Sequence, residues 1–465
     1  FTDRPNREHK YISAEEFVSY WSEDATNSFQ FDPPNAVLTS VDDDGVAEVE
    51  VVIIDASTDG DNITYTIQSP KLTENATFQD VSLFVDGNYS NETNCIPLNF
   101  NNENSSRWEG PFMGTNDTVA YIPDYYAVYY YIVVKELQDL YIQINGKYGN
   151  ARYMSYNIYD AHTLTNTGDG SILDKEINPY CDSYNPYSAV DNGNSTNYNV
   201  NIVSNSLGLD NELIFPPATD SLVVMLRYYV PENSNGEIAG VELPSIVGEK
   251  IDMSGEMDLS FAQLNPPTID SLKLKLTIMA DVVSTLTDSI GFWKLPSDGL
   301  LANADNEYLI GPAICSEDQL AIIKFKPPTY NTANDITQSK DVRYWSLNIG
   351  DTDTFTYNGI KDEDAIIADD GWCYIVFGRP NNEVEFKCAI RNYNYVEWNV
   401  PSDIGIIIYR NMLGDSLFEG WLGNVPPLSL NPLEQGTVLD YLAPNFINDY
   451  GPRGVRVNIT DFLIN

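Results

Sequence analysis

Histidine is nearly absent from the sequence, which has only His9 and His162 among 465 residues. Ser-His-Asp triads, histidine-ligated zinc sites and most general-base schemes need a well-placed imidazole, so these classes have few candidates. His162 follows Asp160, which could orient it as a base, whereas no histidine follows Asp351 in the related segment described below. We therefore interpret His162 as a loop residue and His9 as a solvated residue of a polar segment.

The sequence motifs of the common enzyme classes are also missing. The chain contains no G-x-S-x-G, no P-loop, no G-x-G-x-x-G and no H-E-x-x-H. A carboxylate pair of the glycoside hydrolase type is conceivable, but 68 acidic residues offer too many pairs for the sequence to select one. Enzymatic activity is therefore uncertain, and the sequence leans against it.

Basic residues are scarce, with 25 Lys and Arg against 68 Asp and Glu, a formal net charge of -43. Such a surface repels the phosphates of nucleic acid and anionic lipid, so we expect neither as a partner. Cations are the natural counter-partners. Ca²⁺ is a candidate at residues 55–62 or 351–364, but neither segment has a fixed ligand spacing, and solvated loops are the alternative interpretation.

Long apolar runs are missing as well. The longest, YYAVYYYIVV at residues 125–134, has about ten residues, whereas a helix needs roughly 20 to span a bilayer. We therefore expect no membrane span. The chain begins FTDRPNREHK without methionine or an apolar leader, which we interpret as a mature, processed N-terminus. The expected location is secreted and extracellular.

Cysteine is limited to five residues, and no Cys-x-x-Cys occurs. Residues 373–388 are predicted to form a β-hairpin that turns at residues 379–382, which places Cys373 opposite Cys388. A cross-strand disulfide is one prediction, and two buried thiols in an apolar face are the alternative. The odd total leaves at least one thiol free or paired between chains. The sequence does not determine the pairing of Cys95, Cys181 and Cys315.

Asn-x-Ser/Thr sequons are frequent, and most of them precede residue 200. Because sequons in loops of secreted chains are accessible acceptors, we expect several to carry N-linked glycans. The eight candidates are Asn62, Asn75, Asn88, Asn91, Asn104, Asn116, Asn194 and Asn458.

One short string occurs twice, as Arg-Tyr-x-Ser-x-Asn-Ile-x-Asp, at residues 152–160 and 343–351. In the first copy, period-two alternation places Met154, Tyr156 and Ile158 on an apolar face and the serine and asparagine on the other. The second copy keeps the polar positions but has no counterpart of His162. We interpret both copies as structural, with Arg pairing to an acid and Ser and Asn satisfying buried backbone. The retained polar positions are Arg152, Ser155, Asn157, Asp160, Arg343, Ser346, Asn348 and Asp351.

Short alternating strands separated by loops rich in Asn, Asp, Gly and Pro predict an all-β protein of tandem jelly-roll or immunoglobulin-like β-sandwiches. The order of landmarks around the two strings predicts an internal duplication. A single short helix is predicted near the N-terminus from the capping box of Ser13 and Glu16. The predicted segments are 1–29 with that helix, 30–108 as a small sequon-rich sandwich, 109–245 and 291–428 as the two repeats, 246–290 as a connector, and 429–465 as a tail ending in a strand.

The segment PDYYAVYYYIVVKELQDLYIQINGKYGNARYMSYNIYD resembles the N-terminal half of an uncharacterised family of mostly bacterial, secreted proteins. LRYYVPENSNGEIAGVELP, VRYWSLNIGD and GWCYIVFGRPNN resemble later segments of the same family, and the similarity spans roughly residues 110–425. The resemblance implies domains of β-sandwich or jelly-roll type. It implies no activity. The Asn-rich loops and added sequons depart from the family pattern and indicate a glycosylating host.

These observations favour a secreted, glycosylated structural protein that assembles with copies of itself into a filament, sheath or surface layer. The C-terminal residues GVRVN could complete a sheet of a neighbouring copy. The alternative is an extracellular carbohydrate-binding or carbohydrate-degrading protein. A third hypothesis is a monomeric adhesion module that depends on Ca²⁺.

Overall fold

Strands make up 47% of the protein and helices 13%, and several of its sheets are antiparallel. The predicted all-β class is therefore confirmed. The chain forms two compact units, Phe1–Leu98 and Asn99–Asn465, so the boundary lies before residue 108, where the sequence had placed it. The structure is a computed structural model that describes residues 17–21, 29, 33–42, 45–59, 62–68, 81–86, 98, 108–114, 122–135, 141–181, 183–188, 195–216, 219–234, 237–249, 288–294, 301–428 and 438–464.

The first unit contains one four-stranded antiparallel sheet of order β3-β2-β1-β4. A 3₁₀ helix at Ser19–Trp21 packs on it, and the Trp21 indole donates a hydrogen bond to the Ile53 carbonyl at 3.2 Å. The predicted capping box at Ser13 and Glu16 lies outside the described residues. The strands are β1 (Asn35–Asp42), β2 (Gly45–Asp59), β3 (Asn62–Gln68) and β4 (Val81–Asp86).

The second unit holds two groups of strands, which we call the first lobe (β5–β15) and the second lobe (β16–β24 with α1–α3). The first lobe comprises β5 (Glu109–Met113), β6 (Ala127–Lys135), β7 (Tyr141–Lys147), β8 (Tyr153–Asp160), β9 (Asn166–Leu173), β10 (Asn197–Val203), β11 (Glu212–Ile214), β12 (Ser221–Tyr229), β13 (Asn233–Ser234), β14 (Glu237–Ile238) and β15 (Ser245–Glu249). A 3₁₀ turn, Asp174–Glu176, follows β9.

The second lobe comprises β16 (Ser289–Ile290), β17 (Asn306–Ile314), β18 (Gln319–Phe325), β19 (Tyr344–Gly350), β20 (Thr356–Lys361), β21 (Cys373–Gly378), β22 (Asn394–Glu397), β23 (Ile404–Met412) and β24 (Arg453–Asn458). Its helices are α1 (Asn382–Ile390), α2 (Pro444–Ile447) and α3 (Ile459–Ile464). The 3₁₀ turns are Asp362–Asp364, Leu422–Asn424, Val438–Tyr441 and Asn448–Tyr450.

Most strands of the two lobes occur in the same order. The first lobe has one nine-stranded sheet, β15-β7-β10-β11-β9-β8-β12-β6-β5, because β11 pairs with β9. Its run β9-β8-β12-β6 corresponds to the separate sheet β20-β19-β23-β17 of the second lobe, and its run β15-β7-β10-β11 corresponds to β24-β18-β21-β22. The pairs β10–β11 and β21–β22 are both parallel. Eight strands of each lobe therefore correspond, whereas β5, β13, β14 and β16 have no counterpart among the described strands.

Both faces of β6 are buried, as its run of apolar and aromatic residues predicts. Tyr130, Ile132 and Val134 join the main core of the first lobe, while Tyr131 and Val133 pack in a separate cluster on the opposite face. In β8, Met154, Tyr156 and Ile158 also face the main core, so the predicted apolar face of the repeated string is confirmed. Strands β7 and β10, from the other half of the same sheet, also line this core.

The predicted hairpin at residues 373–388 is wrong, because only its first arm is a strand. Asn381 caps the N-terminus of α1 by accepting hydrogen bonds from the N–H groups of Glu383 and Val384. Cys373 faces the core of the second lobe, whereas Cys388 lies on α1 and joins the cluster that includes Val376, on the other face of β21. Both are free buried thiols, as is Cys315, and Cys181 is disulfide-bonded.

The predicted boundaries of the connector, 246–290, and of the tail, 429–465, also need correction. Strand β15 pairs with β7, so the first lobe extends past residue 245, and β16 adds residues before 291 to the second lobe. The predicted C-terminal strand is present as β24, but it pairs with β18 along its length and with β16 on the other side. This strand therefore completes a sheet of its own chain rather than that of a neighbouring copy.

Candidate functional site

The two copies of the repeated string lie at equivalent places in the two lobes. The first forms β8, next to β12, and the second forms β19, next to β23. Four small polar side chains from the strings are completely buried. They are Ser155, Asn157, Ser346 and Asn348. The buried polar faces of both strings make contacts with the opposite lobe, and together they form the interlobe interface.

Two buried arginine–aspartate pairs connect the lobes reciprocally. Arg152 of the first lobe donates to Asp362 of the second at 2.5 Å. Arg343 of the second lobe donates to both carboxylate oxygens of Asp174 in the first, at 2.6 and 2.7 Å. All four side chains are at most 6% exposed. Each lobe therefore supplies the arginine of one pair and the carboxylate of the other, and the expected pairing of Arg with an acid is present.

The same two carboxylates are tied to the strings of their own lobes. Asp174 accepts the backbone N–H of Met154 at 2.8 Å, and Asp362 accepts that of Trp345 at 3.0 Å. Met154 and Trp345 occupy the same position in the two copies. Each aspartate thus joins the string of its own lobe to the arginine of the other lobe's string.

Burial is the largest influence on the pKa of these carboxyls. It raises the pKa of Asp362 from 3.8 to about 6, although Arg152 opposes the rise. Burial also raises the pKa of Asp174, against the opposing effect of Arg343. Both carboxyls therefore bind a proton more readily in the folded state than in the unfolded chain.

We predict that the contribution of Asp362 to the free energy of unfolding falls as the pH rises from 3.8 to about 6. In this window the folded carboxyl retains a proton that the unfolded carboxyl has lost, so protonation favours the folded state by roughly 2–3 kcal/mol. The variant Asp362→Asn lacks this titration. Urea unfolding of both proteins from pH 4 to 7 should therefore show the wild type gaining stability relative to the variant as the pH falls. Parallel pH profiles would contradict the prediction.

A second set of contacts lies beside these pairs. Asp124, in the first lobe, accepts hydrogen bonds from the Tyr344 hydroxyl at 2.9 Å and the Ser346 hydroxyl at 2.6 Å. Its carboxylate also accepts the N–H of Tyr126 at 2.9 Å and lies 3.8 Å from the Arg410 guanidinium. Asp124 is completely buried. One carboxylate of the first lobe therefore receives two side-chain donors from the second copy of the string.

The counterpart of Asp124 is the neutral residue Asn303. Its side-chain oxygen accepts from the Tyr153 hydroxyl at 3.1 Å and from the N–H of Asp305 at 3.1 Å. The Tyr153 hydroxyl also donates to the Asp305 carboxylate. The two halves of the interface therefore share their geometry but differ in charge at this position.

Two arginines on the central strands bind backbone carbonyls across the interface. Arg410 of β23 donates to the carbonyl of Ile122 at 2.5 Å, and Arg227 of β12 donates to that of Leu301 at 2.6 Å. Arg227 also donates to Asn157 of the first string. In the second string, Asn348 accepts the N–H of Tyr125 at 3.2 Å. The prediction that Ser and Asn satisfy buried backbone therefore holds only for Asn348. Ser346 donates to a carboxylate, Ser155 donates to the side chain of Asn157, and Asn157 accepts from Arg227.

The aspartates that end the two strings stabilise turns. Asp160 accepts the backbone N–H groups of His162 and Thr163, both at 2.9 Å. Asp351 accepts the N–H of Phe355 at 3.0 Å and the Tyr357 hydroxyl at 2.8 Å. His162 is exposed in its turn and is bound to Asp160 through its backbone. This geometry supports its interpretation as a loop residue.

The remaining predicted sites are only partly within the described residues. Asn62 and Asn458 have exposed side chains, as glycan acceptors require. The other six sequon asparagines lie outside the described residues. Among the residues that the structure describes, no group of three or more His, Cys, Asp or Glu could hold a metal ion. No helix in the same residues is long and apolar enough to cross a bilayer. Ca²⁺ binding stays a prediction without a placed site.

Sequence reasoning missed the carboxylates on which the interlobe interface depends. Asp174 and Asp362 each follow an Ile-x dipeptide at the end of a strand, in ILDKE and IKDED. That shared signal, placed after each copy of the string, could have identified them. Asp124 has no comparable signal, because its counterpart is Asn303. The carboxylates and guanidinium groups of this interface pair with one another, although the side-chain amide nitrogens of Asn157 and Asn303 have no hydrogen-bond partner among the described residues. The arrangement connects the two lobes.

Two bacterial proteins of known structure align with this chain. One is an uncharacterised protein from Burkholderia cenocepacia, with 11% identity and a TM-score of 0.47, over 76% of this chain and 82% of that chain. The other is the VPA0106 protein from Vibrio parahaemolyticus, with 11% identity and a TM-score of 0.35, over 63% of this chain and 86% of that chain. No protein-family model and no curated protein matches the chain.

Proposed function

We propose that this is a secreted, glycosylated structural protein that assembles with copies of itself into an extracellular filament, sheath or surface layer. The observation that carries the proposal is an exposed apolar pair on α1, Phe386 and Ile390, which are 68% and 63% exposed. They lie one helical turn apart and therefore on the same face of the helix. Exposed apolar side chains grouped in this way mark surfaces that bind other proteins.

The charges along α1 favour a second copy of this chain as the partner. Glu383 and Glu385 lie in the first turn, while Lys387 and Arg391 lie at the other end. Two such helices packed antiparallel across a two-fold axis would place acidic residues of each beside basic residues of the other. The apolar pairs would meet between them. This contact is self-complementary, and a second contact surface would extend a dimer into a polymer.

The interlobe interface supports a structural role in a different way. Its reciprocal ion pairs hold the two lobes in one arrangement, which an assembling subunit needs if contacts are to repeat regularly. We further interpret the lobes as tandem β-sandwiches of the jelly-roll or immunoglobulin-like type, since two runs of strands line one core in each. The exposed side chains of Asn62 and Asn458 are suited to glycosylation.

We predict that Phe386→Glu with Ile390→Glu abolishes self-association of the full chain through α1. The substitutions bring four acidic side chains of a dimer into the proposed contact, where like charges repel. Sedimentation velocity in physiological salt should show extended oligomers for the wild type and species no larger than dimers for the variant. Electron microscopy of the wild type should show regular assemblies.

Leu417→Glu is the matched control, because Leu417 is also apolar and is 91% exposed but lies away from α1. It should assemble as the wild type does. A wild type that stays monomeric in salt and Ca²⁺ would refute the proposed function. Loss of assembly in the control, with assembly retained in the α1 variant, would refute the proposed surface.

A further inference from the structure

Three basic side chains surround one tryptophan on the outward face of the second lobe. The charged groups of Lys324, Lys326 and Arg453 lie 4.8, 5.8 and 5.3 Å from the centre of the Trp372 ring. Trp372 is half-buried, while the side chains of Lys326 and Arg453 are 45% and 40% exposed. In a chain with 25 basic and 68 acidic residues, this is an unusual concentration of positive charge.

The strand register extends this group into a row across three strands, and Tyr393, the residue before β22, lengthens the row. Lys324 of β18 pairs with Arg453 of β24 on one side and with Tyr374 of β21 on the other. Tyr374 in turn stacks on Tyr393, with ring centres 4.3 Å apart and planes 19° from parallel. Three strand spacings span roughly 14 Å, since neighbouring strands are about 4.8 Å apart. We call Trp372, Tyr374, Tyr393, Lys324, Lys326 and Arg453 the aromatic–basic surface.

Helices cover the end of this sheet face that adjoins Tyr393, which packs against the same cluster as residues of α1 and α3. Phe462 of α3 and Val384 of α1 pack on Leu320 and Val376, away from the basic residues. Among the described residues, Lys324 forms no ion pair. Lys326 and Arg453 share one carboxylate, that of Asp449, at 3.3 and 3.1 Å.

The acidic neighbours leave part of this positive charge uncompensated. Asp449 faces Lys326 and Arg453. Asp370 accepts hydrogen bonds from the Tyr374 hydroxyl at 2.9 Å and from the backbone N–H of Trp372 at 3.1 Å. Two carboxylates therefore stand against three cations. A ligand that carries negative charge can replace Asp449 as the partner of the exposed cations.

We propose that the aromatic–basic surface binds a short acidic oligosaccharide, in which sugar rings carry carboxylate or sulfate groups. The acidic groups would pair with Lys324, Lys326 and Arg453, where charge-assisted hydrogen bonds are strong and arginine binds planar anions through two N–H groups. The aromatic rings offer flat apolar faces to the sugar rings between those groups. This binding is separate from self-association through α1.

An acidic sugar suits this surface better than other anions do. Free sulfate or phosphate would use the cations but not the row of aromatic rings. A nucleic acid would extend over the rest of a surface whose net charge is -43 and would be repelled there. A short oligosaccharide can stay within this row.

Isothermal titration of the full chain with tetragalacturonate, and with its neutral methyl ester, tests the proposal. We expect saturable binding of the acid, at least about tenfold weaker binding of the ester, and weakening of the acid complex by added salt. Lys326→Gln with Arg453→Gln should weaken binding of the acid by about five- to tenfold. Trp372→Leu should also weaken it, with folding checked by circular dichroism.

Two further variants make the test specific. Asp449→Asn should strengthen binding by about two- to threefold, because it releases two cations from their internal partner. Lys175→Gln with Lys340→Gln removes the same charge from other parts of the surface and should leave binding unchanged. Equal binding of the methyl ester, unchanged binding in the Lys326 and Arg453 variant, or equally tight binding of hexa-aspartate would overturn the proposal.

Discussion

Replacing Arg343 by methionine is expected to lower the free energy of unfolding by about 3–5 kcal/mol at pH 7. The substitution preserves most of the side-chain volume but leaves the Asp174 carboxylate, which is completely buried, without its cation. An uncompensated buried charge is far more costly than a missing surface pair. Urea unfolding monitored by tryptophan fluorescence measures the effect.

The cost of Arg343→Met should shrink as the pH is lowered. Burial already raises the pKa of Asp174, and loss of the arginine removes an influence that opposes the rise. The variant can therefore neutralise Asp174 by binding a proton, at a pH where the wild type keeps its ion pair. In the Arg343→Met variant, a second substitution, Asp174→Asn, removes the unpaired charge and should recover part of the lost stability at pH 7.

Arg456→Met is the control for the same chemical change at the surface. Arg456 pairs with Asp288 at 3.4 Å, and Asp288 is 74% exposed. Pairs of this kind contribute about 0–1 kcal/mol. If Arg343→Met is no more destabilising than Arg456→Met, the reciprocal pairs do not hold the lobes together as described.

Replacing Asp124 by alanine should be about as damaging, at roughly 3–5 kcal/mol. It removes the acceptor of the Tyr344 and Ser346 hydroxyls and of the Tyr126 N–H, all in a buried site. It also removes the carboxylate nearest the Arg410 guanidinium. The orphaned neutral donors and the unpaired buried cation together account for this loss.

Asn303→Ala provides the matched comparison, because Asn303 has the equivalent position in the other half of the interface. It accepts one side-chain hydroxyl and carries no charge, so we expect a cost of about 1–2 kcal/mol. Asp124→Asn should lie between the two alanine variants. A double-mutant cycle between Asp124→Ala and Ser346→Ala would give the coupling directly. Equal costs at Asp124 and Asn303 would show that the charge of Asp124 contributes nothing.

The sequence was informative wherever a periodic pattern reflected burial. The alternation in the two strings placed Met154, Tyr156 and Ile158 on the core side, and the apolar run of β6 indicated a strand buried on both faces. Such patterns are local, so they can be interpreted without knowing which strand or lobe packs against them. The resemblance of the chain to an uncharacterised bacterial family, its secretion and its glycosylation stay predictions.

The errors arose where local patterns were compatible with two structures. Residues 382–390 alternate like a strand, but the cap supplied by Asn381 and two glutamates in the first turn favour α1. The ion pairs of the interlobe interface could not be predicted from the sequence for another reason. Arg152 and Asp362 are 210 positions apart, and nothing in either neighbourhood specifies which acid meets which arginine.

That separation along the chain has a consequence for how the protein is made. At about 5–20 residues per second, the ribosome would take roughly 10–40 s to add the residues between Arg152 and Asp362. During this time the first lobe emerges with Arg152 and Asp174 unpaired. On a polysome, the second lobe of a neighbouring nascent chain could meet the same partners, and the product would be a lobe-swapped dimer. Because the pairs are reciprocal, the delay between synthesis of the two lobes influences whether the interlobe interface forms within one chain or between two.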